Sequence, residues 1–102
     1  MPNRAHRVDA NQGEICHFLQ QFPGVAYHVT SGLGRGFPDI VVSYCRVNDL
    51  WEIKDAAKPP SAQKLTPSEW EFFEKWKGPV VIIRSVNDAR ERLEQIRKGA
   101  MG

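Results

Sequence analysis

An α/β domain is what this sequence predicts: a central mixed β-sheet flanked by helices, in the order α-β-β-β-α-β-α. Three observations carry that reading. Apolar residues recur at helical spacing in three separate stretches, four short β-prone runs lie between them, and Pro, Gly or capping residues mark each change of period. At 102 residues and 41% hydrophobic content, the chain is the size of one domain with one core.

The first helix is expected from about Ala10 to Gln21. Asp9 can cap it, with Gln12 three residues on as the reciprocal partner. Ile15, Phe18, Leu19 and Phe22 fall at i, i+3, i+4 and i+7, a single buried stripe that Pro23-Gly24 ends. Val25, Tyr27 and Val29 alternate with Ala26 and His28, as in a strand with one better-buried face. A glycine-rich loop over residues 30–37 follows. Ile40-Val41-Val42 and Leu50-Trp51-Glu52-Ile53-Lys54 read as two strands, joined by a hairpin turn at Arg46-Val47-Asn48-Asp49.

Residues 55–64 contain Pro59-Pro60 and no apolar period, so a loop is expected there. The second helix starts with clear local grammar: Thr66 as N-cap, Pro67 at the first position, Glu69 completing a capping box, and Leu65 with Trp70 as a hydrophobic staple. Trp70, Phe73 and Trp76 give it an aromatic stripe, and Gly78-Pro79 stops it. Val80-Val81-Ile82-Ile83 is apolar on both faces, which predicts a central buried strand. Ser85 with Asp88 caps a third helix, whose Ala89, Leu93 and Ile96 face the core and which ends near Gly99. Residues 1–8 read as a flexible basic tail and residues 9–98 as the single domain.

Composition excludes more than it identifies. A net charge of +2 is too small to mark a nucleic-acid binder by itself. No run of roughly 18 apolar residues is present to span a membrane, and the basic N-terminus has no apolar segment behind it to make a secretory signal. The expectation is a cytoplasmic protein. Cys16 and Cys45 lack zinc or disulfide spacing and read as reduced thiols.

The chemistry resides in Pro38-Asp39 at the head of one β run and Glu52-Ile53-Lys54 in the next. Strand alternation sends Glu52 and Lys54 to one face and Ile53 and Trp51 to the other. If the two runs pair, Asp39 converges on the same point. Burying such charges costs several kcal/mol per ion, on that order, unless they are paired or a cation completes the site. Mg²⁺ is typically held by one or two carboxylates, with water and phosphate filling the rest. Asp39 and Glu52 suit that role, with the Ile53 backbone carbonyl as a third oxygen, and Lys54 suits positioning a water or stabilising the pentavalent charge. The plainer alternatives are a turn element at Pro38-Asp39 and a surface ion pair between Glu52 and Lys54.

Gly36-Phe37-Pro38-Asp39 followed by Trp51-Glu52-Ile53-Lys54 resembles the PD-(D/E)XK nuclease signature. The sequence is most similar to small stand-alone VRR-NUC proteins, from Asp9-Ala10-Asn11-Gln12-Gly13-Glu14 through Gly34-Arg35-Gly36 and Glu52-Ile53-Lys54-Asp55 to Lys64-Leu65-Thr66-Pro67 and the Gly78 turn. The resemblance implies a restriction-endonuclease-like fold, Mg²⁺- or Mn²⁺-dependent cleavage of DNA, a preference for four-way junctions or flaps, and a homodimer. It also points to Glu14 as a helix-borne carboxylate and metal ligand. On a helical wheel Glu14 lies about 40° from Phe18, at the border of the buried stripe; an ordinary solvated glutamate is the competing reading.

Gly32, Gly34 and Gly36 precede no helix and no Lys-Ser/Thr pair, so neither a P-loop nor a nucleotide cofactor is expected. Gly34 and Gly36 allow a close backbone approach to DNA, while Arg35, Lys58 and Lys64 can contact phosphates or stay solvated. Gln63 falls where related nucleases place accessory polar groups. Of the three histidines, only His28 lies on a strand leading toward the site. Trp70 and Trp76 read as core or dimer-interface anchors before base-stacking platforms. The alternative to an enzyme is a DNA-binding or assembly module of the same fold that cleaves nothing.

Overall fold

The computed structural model describes residues 10–101. The elements are α1 (Ala10–Gln21), β1 (Ala26–Val29), β2 (Ile40–Tyr44), β3 (Val47–Ile53), α2 (Pro67–Lys75), β4 (Val80–Ile83) and α3 (Val86–Met101), with a short 3-10 helix at Pro60–Gln63. Helices and strands follow the predicted order. The cap assigned to Asp9 and the tail at residues 1–8 lie outside the described residues.

The four strands form one mixed sheet in the order β1-β2-β3-β4, antiparallel except for the parallel β3–β4 pair. Its two faces differ because successive side chains on a strand point opposite ways. Ile40, Val42, Trp51, Ile53 and Ile83 enter the core from one face, against Ile15 and Leu19 of α1 and Ala89, Leu93 and Ile96 of α3. On the other face Leu50 and Ile82 line grooves beside Trp76 and Trp70, and α2 crosses there without fully burying any of its residues. No helix among the described residues is long and apolar enough to cross a membrane.

The fully buried Asp49 ties the core layer together. Its carboxylate accepts Arg92 Nε and Nη2 of α3, each at 2.8 Å, and the indole N–H of Trp51 at 2.7 Å. A planar fork on a carboxylate is among the stronger polar contacts and meets the requirement that a buried charge be paired.

Five details of the sequence reading need correction. The hairpin turn is Cys45-Arg46, both left-handed with φ of 51° and 67°, and Val47, Asn48 and Asp49 belong to β3. Such two-residue turns match strand twist and are usually marked by Asn-Gly; here that signal is missing, and the polar Asn48-Asp49 pair imitates a turn because Arg92 lies 43 residues away. β4 is an edge strand, not a central one, and three of its four residues are only half-buried. The 55–64 connection contains the 3-10 turn, and α3 continues past Gly99 to Met101. Trp70 and Trp76 are not core residues: they are 57% and 44% exposed.

Candidate active site

Asp39 stands immediately before β2, where Ile40 pairs with Trp51. Its own N–H donates to the Trp51 carbonyl at 2.9 Å, and Oδ2 accepts the Ile53 N–H at 2.8 Å. The carboxylate thus continues the β2–β3 ladder one step beyond the backbone and is fixed beside Glu52. The loop before it is folded back by Thr30, whose N–H and hydroxyl donate to the carbonyls of Asp39 and Pro38 at 2.7 and 2.8 Å. Ser31 Oγ lies 3.3 Å from Asp39 Oδ1 and accepts from Gln12 Nε2 at 3.1 Å, so α1 reaches the site through Gln12.

Glu52 and Lys54 emerge on one face, as alternation requires, with Nζ 3.6 Å from Glu52 Oε2. The closer partner of Lys54 is Glu69 of α2, at 2.9 Å. The same Glu69 oxygen accepts the Thr66 N–H at 2.9 Å, closing the capping box that starts α2. One oxygen therefore serves both the helix start and the lysine. The predicted cap was legible from local spacing; its second task was not, because Lys54 is 15 residues upstream. Asn11 braces the same region, its amide donating to the carbonyls of Lys54 at 2.9 Å and Arg84 at 3.2 Å.

Gly36 allows α2 to come this close. Its φ is +77°, and a Cβ there would stand 2.2 Å from the Ser68 carbonyl oxygen and 2.8 Å from the Glu69 nitrogen. Phe37 completes the contact edge-on to Phe72 and Trp76, which stack on each other. Gly36→Ala is expected to push the loop off the first turn of α2 and to destabilise the fold by about 1–3 kcal/mol from the strained backbone alone. Urea denaturation checks this; an unaltered midpoint would show that the loop and helix do not need each other.

The electrostatics of the cluster are unbalanced. Glu52 is pushed up to about 9, first by burial and then by the negative charges of Asp39 and Glu69, with Lys54 opposing. Asp39 is raised by burial and by Glu69, against hydrogen bonds from Ile53, Ser31 and Glu52. Burial would lower Lys54, but Glu69, Glu52 and Asp39 together hold it above its ordinary value. Glu69 moves down despite burial, because the Thr66 N–H, Lys54 and Glu52 donate to it. At neutral pH, Glu52 is the member that keeps a proton. Written as a carboxylate, it has a buried Oε1 with no donor; written as an acid, it can share its proton with Asp39 or Glu69.

That orphaned oxygen is the test of whether a divalent cation suits the site. Two facing carboxylates, each disfavoured as an anion by burial, are what such a cation would relieve, and one or two carboxylates are what Mg²⁺ usually takes from a protein. Asp39 and Glu52 fit. Among the described residues no group of three or more His, Cys, Asp and Glu forms a ready-made cage. Glu14 is exposed on α1 and is not joined to Asp39 or Glu52 by any hydrogen bond or ion pair; Gln12, two residues earlier, holds the buried position facing the loop.

The remaining sequence candidates are scattered. Arg35 is exposed at the loop tip with φ 59°, between Gly34 and Gly36, and Lys58 and Lys64 are exposed on the later loop. Gln63 is engaged within the chain: its amide donates to Lys58 O at 2.8 Å, and its Oε1 accepts Arg84 Nε at 3.1 Å. His28 is exposed on β1. Comparison of the chain with protein-family models, curated proteins and solved structures returns no match.

Proposed function

We propose that this chain is a divalent-metal-dependent nuclease hydrolysing phosphodiester bonds in DNA, of the VRR-NUC kind, with the mixed sheet arranged as in restriction-endonuclease-like folds. The observation that carries the proposal is the buried Glu52 carboxyl, whose Oε1 has no hydrogen-bond partner, set beside Asp39 and Lys54. An apolar pair in these positions would be as stable or more so, so the fold alone gives no reason for the cluster. Asp39 and Glu52 would hold Mg²⁺ or Mn²⁺, which when bound polarises a phosphate oxygen and activates water.

The chain's own residues supply the rest. Ile53 N–H and Ser31 fix the orientation of Asp39, and Glu69 and Glu52 keep Lys54 protonated with its ammonium at the carboxylate pair. A fixed ammonium there can stabilise charge developing on a phosphoryl oxygen without reorganising. The exposed cations Arg35, Lys58 and Lys64 favour a polyanionic substrate and read no sequence.

Incubating the protein with labelled duplex, flap and four-way-junction DNA in Mg²⁺, Mn²⁺ or EDTA tests the reading. Products in metal and none in EDTA are expected. A second reading is a DNA-binding or assembly module that cleaves nothing; the 2.9 Å ion pair favours it, because it commits the lysine to the α2 cap. Tight binding to the panel with no product in any metal would decide for the module.

A further inference from the structure

We infer that the groove between α2 and β4 is a stacking site for an unpaired nucleobase of the DNA substrate, with Trp70 as its platform. The inference rests on the nuclease reading above and names the part of the substrate that this face selects.

Trp70 leaves more than half of its surface exposed, at the position after Glu69, so it projects about 100° around the helix from the residue that holds Lys54. It lines a groove of about 590 Å³ together with Leu65, Ile82, Gln63, Lys64 and Arg84. That volume lies in the usual range of small-molecule sites. Ile82 is the β4 residue in register with Glu52, so the apolar wall of the groove adjoins the carboxylate pair directly. A nucleotide seated there has its backbone next to the proposed site of hydrolysis.

The charges of the groove select its occupant. Among the described residues no acidic side chain lines it, and neither Lys64 nor Arg84 has an ion-pair partner. Arg84 is oriented by its Nε–H bond to Gln63, and Gln63 in turn is tied to the Lys58 carbonyl, so one cation is held by the fold while the indole stays open. An aromatic face flanked by unpaired cations is the pattern by which proteins hold single-stranded nucleic acid: the base stacks and the phosphates meet the cations. A base inside a blunt duplex is already stacked and cannot use the indole, whereas an unpaired arm at a branch or flap can.

The test is fluorescence anisotropy in EDTA, at low salt, with a blunt duplex and the same duplex carrying an unpaired arm. Wild-type protein is expected to prefer the armed DNA; Trp70→Ala should reduce that preference about tenfold, and Trp70→Phe should restore most of it. Thermal melting of both variants confirms that they are folded. An undiminished preference in Trp70→Ala overturns the stacking site and leaves the nuclease reading intact if the wild type still cleaves in Mg²⁺. Absence of any preference for the armed DNA in the wild type also overturns the stacking site, whereas the nuclease reading falls only if no product forms in Mg²⁺ or Mn²⁺.

Discussion

Replacing Lys54 with alanine is expected to lower metal-dependent cleavage by about a hundred- to a thousandfold, the loss typical of removing one fixed donor to transition-state charge, equivalent to about 2.7–4 kcal/mol. The structure adds a complication that the sequence did not disclose. Lys54 is also the counter-ion of Glu69 and Glu52, so the alanine variant brings three carboxylates together without their cation and loses stability as well as activity. Lys54→Arg separates the two effects. The guanidinium can keep the ion pair, but it is a broad planar fork where the site holds a compact ammonium. The arginine variant should melt near the wild type and still cleave poorly; full activity in either folded variant would remove Lys54 from the chemistry.

Glu52→Gln should stabilise the protein in EDTA, and more so as pH rises. A carboxyl whose folded-state pKa is raised contributes fully below its unfolded value, here 4.5, and that contribution is lost as pH climbs toward about 9. Glutamine cannot ionise and escapes the loss. At pH 8 the difference is on the order of a few kcal/mol, since each unit of separation is worth about 1.4 kcal/mol. In a domain of this size one kcal/mol moves Tm by about 4–8 °C. Melting curves at pH 4 and pH 8 should therefore nearly coincide for the two proteins at the lower pH and separate by 5 °C or more, roughly, at the higher. Mg²⁺ should raise the Tm of the wild type at pH 8 and leave that of the variant largely unmoved. Curves that run parallel across the whole pH range would mean that Glu52 is ionised in the native state already.

The parts of this structure that could be read in advance are those governed by neighbours in sequence. The bounds of α1, the capping box at Thr66 and Glu69, and the shared face of Glu52 and Lys54 all follow from periods of two or three to four residues. What could not be read depends on distant partners. Asp49 passes for a turn residue until Arg92 arrives from α3, and β4 passes for a central strand because its four apolar residues do not reveal that, among the described residues, no strand lies beyond them. Gln12 and Ser31 had no local signal at all as supports of Asp39. Glu14 had one, from resemblance, yet the structure leaves it exposed.

The Asp49–Arg92 fork has a consequence for the opposite side of the sheet. Sliding β3 past β2 by a single residue would turn the side chains of β3 to the other face: the Trp51 indole would face solvent and Glu52 would be pressed among isoleucines. Only one alignment sets the residue 49 carboxylate against the guanidinium of α3, with Val42 as its cross-strand neighbour. The fork works as an indexing pin, so the register that the bonds of Asp39 hold at one end of the hairpin is also held from the other face by a contact that neither residue 39 nor residue 52 makes.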